Sequence, residues 1–169
     1  GAVGRWDAIC FDESTDELFK DKEVVPIMKD YMESGSFSRA GKAGEKAADD
    51  LIKNNKYGKV YVMLGINEVG NDFQFTLTKY RAIIERLKAH QPDAVIYIQA
   101  NLHVASYSES NVINNANINY LNSLFASLAD NKKVFYIDIN ELYDDENGAL
   151  TAAYTSDGVH PLAAYYKQW

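Results

Sequence analysis

Cysteine is almost missing from this 169-residue chain, Cys10 being the single one. One thiol excludes an intrachain disulfide and a cysteine-based zinc site. Proline is scarce as well, its three residues scattered, and no linker, repeat or low-complexity stretch interrupts the chain. No apolar run approaches the roughly 18 residues that a membrane-spanning helix needs, so no membrane span is expected. Basic residues are the minority, 17 against 24 acidic, for a net charge of −7 and a pI of about 4.9. Attraction to phosphate backbones is then not a driving force, and nucleic acid is not an expected partner. A basic stretch followed by an apolar one, the mark of a signal peptide, is also lacking. The chain opens on Gly1 without Met and stops on Trp169. We therefore expect one or both natural ends to be missing, which leaves the compartment open, a secreted or cell-surface protein with its signal removed included.

What is present is the balance of an ordinary globular domain: 47% apolar, 24% charged and 12% aromatic side chains. At this length about 70% of the extended chain's surface can be buried, and one domain over residues 1–169 is expected. Short apolar runs alternate with amphipathic stretches. Lys59–Leu64 reads as a strand buried on both faces, halted by Gly65. Phe73, Leu77, Tyr80, Ile84 and Leu87 fall on one face of a helix over about 72–89, closed by Pro92. Ala94–Gln99 is the next strand. Ile113, Leu121, Leu124 and Leu128 predict a helix over about 111–129, and Val134–Ile139 a further strand. Upstream, Ala47, Ala48, Leu51 and Ile52 suggest a helix over about 43–54 after an extended piece at Ser36–Ala40. Alternation of this kind implies parallel pairing through crossovers, hence a three-layer α/β sandwich. Ligands of such sheets sit beyond the carboxyl ends of the strands, so polar residues just after a strand come first.

Three places meet that criterion. Gly65-Ile66-Asn67-Glu68 follows a strand, where the Asn67 amide could donate, although Gly and Asn together are also common turn chemistry. Asp157-Gly158-Val159-His160 lies near the carboxyl terminus. An Asp three residues before a His can accept from one ring nitrogen while the other faces a nucleophile, the base-and-orienter half of a triad. Ser38–Gly44 is the third, a strand-to-helix junction whose N–H groups could meet an oxyanion; its Gly41-Lys42 lacks the spacing of a phosphate loop.

Taken in this order, the three places resemble the SGNH, or GDSL-type, hydrolase family, especially bacterial members with Glu at the end of the Asn block. Gly41 is similar to that family's block Gly, Asn67 to its block Asn, and Asp157 and His160 to its last block. The resemblance covers about residues 36–169. It implies an α/β/α sandwich around a parallel, flavodoxin-like five-stranded sheet. It also implies a serine esterase, with His160 as base, Asp157 as its orienter, and Gly41 and Asn67 in the oxyanion hole, with no cofactor. No metal is expected either, because Asp138 and Asp144–Glu146 have no histidine or cysteine cluster around them. The expected substrate is a small-molecule or glycan ester. Acidic charge and abundant polar aromatics lean toward deacetylation of a carbohydrate.

The departure is at the nucleophile, because Gly-Asp-Ser occurs nowhere in the chain. One explanation places the serine immediately before Gly1, with Gly1-Ala2-Val3-Gly4 as the tail of its motif. The other makes Asp7–Phe11 the first strand and Ser14 the nucleophile of a degenerate Asp12-Glu13-Ser14-Thr15 block, although Ser14 or Thr15 would equally serve as a helix N-cap. A different class of function is also open: a non-catalytic α/β binding domain, or a hydrolase relative without its serine. Of the remaining polar residues, His103 follows a strand and would line the pocket for substrate binding or sit on a surface loop. His90 reads as a helix C-terminal residue, favoured by the dipole.

Overall fold

The computed structural model describes residues 56–168. Apart from Lys56 these belong to the compact unit Tyr57–Trp169. Three strands, β1 (Lys59–Val62), β2 (Val95–Gln99) and β3 (Val134–Ile137), form a parallel sheet in the order β1-β2-β3. Lys59 pairs with Val95 and Ile96 with Val134, so all three carboxyl ends lie along one edge. Helix α1 (Phe73–His90) connects β1 to β2, and α2 (Asn115–Ala126) connects β2 to β3. This is the expected α/β architecture with a parallel sheet. The segments Asp7–Phe11 and Ser36–Ala40, expected to supply further strands, lie outside the described residues.

Helix α1 starts where Asp72 accepts hydrogen bonds from the Gln74 and Phe75 N–H groups, satisfying donors that the first turn leaves unpaired. It buries Thr76, Tyr80, Ile84 and Leu87, much of the expected stripe, and His90 is its last residue. Buried Ile96, Ile98 and Val134 of the sheet share the core with Tyr80, Ile118, Leu121 and Phe125 of the helices. The Tyr80 and Phe125 rings are 4.0 Å apart, and the Tyr80 hydroxyl donates to the Val62 carbonyl at 3.0 Å.

Three expectations need correction. Helix α2 is shorter than the 111–129 predicted. Asn114 caps it by accepting from the Asn117 N–H, while the Ser110 hydroxyl oxygen accepts the Ile113 N–H, holding residues 110–113 in a turn. Short polar side chains that bond to nearby backbone compete with the helix, leaving Ile113 outside it and Phe125 on its buried face. Strand β1 is not buried on both faces, for Tyr61 is 51% exposed. Its ring stacks on cross-strand Tyr97 at 4.8 Å, and Tyr97 on Phe135 at 5.8 Å, an aromatic ladder across one face. Strands β1 and β3 also stop two residues early, whereas β2 ends at Gln99 as expected. Asp138 turns to accept both the N–H and the side-chain amide of Asn140, which ends β3 at Ile137.

Candidate active site

The loop leaving the carboxyl end of β2 bonds to the carboxyl-terminal loop 155–161, and the loop after β1 packs on Val112 of the segment that follows β2. After β1, Gly65 has φ +124°, and a Cβ there would fall 2.9 Å from Phe125 Cε2. Only glycine fits such a backbone in so little space. The chain then makes one short turn, Ile66–Glu68, closed by the Glu68 N–H donating to the Gly65 carbonyl at 2.9 Å. Asn67 is exposed on that turn, and Glu68 is buried beneath it.

The loop after β2 starts as a buried asparagine network. Asn122 Oδ1 accepts the Asn101 N–H at 2.8 Å, and Asn122 and Asn140 both donate to the Asn101 carbonyl. Such bonds satisfy backbone groups that leave the ladder at the sheet edge. His103 belongs to the same network. It is buried, and its Nδ1 lies 2.8 Å from Asp144 Oδ2 and its Nε2 2.8 Å from Asn119 Oδ1. The surface-loop reading of His103 is therefore wrong, since its three polar groups are all engaged, the backbone N–H with Asn140 Oδ1. Asp144 Oδ1 is buried and has no hydrogen-bond partner among the described residues. Burial raises the Asp144 carboxyl above the ordinary carboxylate range, while the His103 hydrogen bond opposes the shift.

The third loop brings Asp157 and His160 together. A single antiparallel bridge between Thr155 and Pro161 closes it, and Gly158 turns it with φ +79°. Asp157 Oδ1 accepts the Val159 and His160 N–H groups, each at 2.9 Å, and the Thr155 hydroxyl at 3.2 Å. Asp157 Oδ2 lies 2.8 Å from His160 Nδ1. A carboxylate only accepts, so Nδ1 carries the hydrogen, and in neutral imidazole the lone pair falls to Nε2. That is the tautomer a general base needs. Both side chains are largely sheltered, at 12% exposure for His160 and 21% for Asp157.

The segment between β2 and α2 joins these loops. The Ala105 N–H donates to the Gly158 carbonyl at 2.7 Å and Ser108 Oγ to the Asp157 carbonyl at 3.1 Å. Further along, a Cβ on Gly70 would fall 2.1 Å from Val112 Cγ1. The loop of Asn67 and the loop of His160 thus flank one common element.

Sequence reading gives Thr155 and Ser108 no part in the site and weighs Asp144 only as a metal ligand. Thr155 could have been found: a hydroxyl two residues before an Asp and three before a Gly is turn chemistry, and its oxygen does accept the Gly158 N–H at 2.9 Å. Ser108 and Asp144 find their partners 49 and 41 residues away, with no local signal. Gly41 and Ser14 lie outside the described residues. Among the described residues no group of three or more His, Cys, Asp or Glu could hold a metal, and no helix is long and apolar enough to cross a membrane.

Two curated relatives share the name Lon-like protease BrxL. The one from Bacillus cereus (strain H3081.97) is 35% identical over 92 residues, 54% of this chain and 14% of that protein. The one from Escherichia coli O9:H4 (strain HS) is 51% identical over 55 residues, 32% of this chain and 8% of that protein. The chain therefore spans a small fraction of either. Among solved structures, a protein from Streptococcus pneumonia provisionally assigned as a platelet activating factor superposes with a TM-score of 0.60 at 25% identity. The match covers 65% of this chain and 55% of that one. A peptidoglycan O-acetylesterase shares the fold with a TM-score of 0.57 at 15% identity, over 72% of this chain and 37% of its own. Residues 33–168 match the GDSL-like Lipase/Acylhydrolase family, a span that contains Gly41, Asn67, Asp157 and His160 and starts after Ser14. The chain belongs to the GDSL-like lipase/acylhydrolase family.

Proposed function

We infer that the chain forms an acyl-transfer centre that hydrolyses esters, with an O-acetylated carbohydrate as its substrate class. The observation that carries this reading is the 2.8 Å contact of Asp157 Oδ2 with His160 Nδ1 in a loop closed by its own hydrogen bonds. His160 Nε2 takes the proton of a serine hydroxyl as that oxygen attacks the ester carbonyl, and later returns it to the leaving alcohol. Asp157 holds the ring in the productive tautomer and stabilises the imidazolium. The Asn67 amide meets the oxyanion, and loss of such a donor typically costs about 3–4 kcal/mol in the barrier. Water then cleaves the acyl-serine by the same base. The protease designation of the curated relatives is not carried over, because the chain spans 14% of the first of them.

The nucleophile is Ser14 or a serine preceding Gly1. A fluorophosphonate probe read by peptide mass spectrometry separates them, applied to the chain alone and to the chain extended upstream by Gly-Asp-Ser. One serine should be labelled in one of the two forms, and His160→Ala should abolish the labelling. No labelled serine in either form would leave a binding domain instead of an enzyme.

A further inference from the structure

Tyr107 is the most exposed large apolar residue among those described, at 63%, yet it is firmly seated. It sits on the short turn Ser106–Ser108, whose Ser108 N–H donates to the Ala105 carbonyl at 2.8 Å. On either side of it, Ala105 and Ser108 bond to Gly158 and Asp157. The ring itself reaches the loop, for a Cβ on Gly158 would fall 3.0 Å from Tyr107 Cε2 and 1.7 Å from Ser108 Oγ. At the far end of the segment Val112, 53% exposed, packs on Gly70 in the Asn67 loop. Residues 105–112 therefore form a wall from the His160 loop to the Asn67 loop, with an aromatic ring displayed on it.

Scattered exposed aromatics are ordinary on protein surfaces. Tyr107 differs because its backbone is pinned on both sides and its ring borders the residue that follows Asp157. A ring held this way loses little further freedom when a ligand covers it, so its stacking energy goes largely into binding. Its neighbours Ser106, Glu109 and Ser110 are exposed and polar. A lipid tail would need a continuous apolar groove, whereas a sugar offers an apolar C–H face to the ring and hydroxyls to the surrounding polar groups. The geometry points to Tyr107 as the platform on which the sugar ring of an O-acylated glycan stacks while its ester enters between the two loops. This assignment rests on the acylhydrolase reading given above and adds the residue that selects the alcohol.

Binding needs no nucleophile, so the test is first a titration of the chain with an O-acetylated xylo-oligosaccharide, followed by NMR of the tyrosine rings. The Tyr107 ring signals should move on titration, Tyr107→Ala should weaken binding at least about tenfold, and Tyr107→Phe and Tyr107→Trp should preserve it. In the form that carries the labelled serine, Tyr107→Ala should raise KM for the oligosaccharide with little change in kcat. It should also lower the preference for that ester over methyl acetate, which has no ring to stack, by about the same factor. Undisturbed Tyr107 signals, unweakened binding by Tyr107→Ala, or equal losses on both esters would overturn the assignment. Hydrolysis indifferent to His160→Ala, with Tyr107-dependent sugar binding intact, would instead sink the acylhydrolase reading alone.

Discussion

Asp157 grips His160 twice, its Oδ1 taking the His160 backbone N–H at 2.9 Å and its Oδ2 standing 2.8 Å from the ring Nδ1. One carboxylate thus holds both the backbone and the ring of the histidine. Asp157→Asn keeps the shape but can present an N–H where Nδ1 needs an acceptor, favouring the wrong tautomer. We expect kcat for ester hydrolysis to fall by roughly 10³–10⁴ with little change in melting temperature. A loss below about tenfold would show that the pair is not used as a base and its orienter.

Thr155 is the next residue to test. Its hydroxyl oxygen accepts the Gly158 N–H at 2.9 Å, which leaves its own hydrogen for Asp157 Oδ1 at 3.2 Å. Thr155→Val preserves volume and deletes these two bonds and the one the same oxygen accepts from the Asp157 N–H at 3.3 Å. We expect it to lower kcat about tenfold with KM nearly unchanged, a cost close to one net hydrogen bond. Thr155→Ser should restore the rate. Equal losses in the two variants would assign Thr155 to packing.

Gly158 carries both a backbone and a steric demand. At φ +79°, any side chain is strained, and a Cβ would fall 1.7 Å from Ser108 Oγ. Gly158→Ala should destabilise the fold by at least about 1–3 kcal/mol, read by chemical denaturation. Adding Ser108→Gly removes the collision and leaves the strain, so the double variant should recover part of the loss. Strict additivity of the two changes would mean that the residues do not meet.

Asp144 supplies a pH dependence away from the proposed base. Its folded carboxyl titrates above the ordinary range because burial disfavours the anion. A group raised in this way contributes stability below its unfolded value, and that contribution is lost as pH rises through the folded one. Asp144→Asn has no charge to bury and can still accept from His103 Nδ1. The stability of the variant relative to the parent should therefore increase as pH is raised from about 3 towards neutrality. A constant difference across that range would contradict the shift.

The sequence made local relationships visible and hid distant ones. Helix α1 could be read because Tyr80, Ile84 and Leu87 repeat at helical spacing. The Asp157–His160 pair could be read because three residues separate its members and a single turn joins them. Asn101–Asn122 and His103–Asp144 join residues 21 and 41 apart, and nothing within one loop announces such a partner. The exposure of Tyr61 was equally hidden, since a β-branched apolar run carries no sign of which face the fold leaves open. Helix α2 was overdrawn because apolar spacing ignores the competition from Ser110 and Asn114, which bond to the backbone first.

Release of p-nitrophenolate from p-nitrophenyl acetate, compared between the serine-bearing form and its His160→Ala variant, reads out whether His160 acts as the base. Turnover should be readily measured in the parent and fall by at least about 10³-fold in the variant, leaving only what the oxyanion donors and binding supply. Turnover that survives His160→Ala within about tenfold would contradict that role.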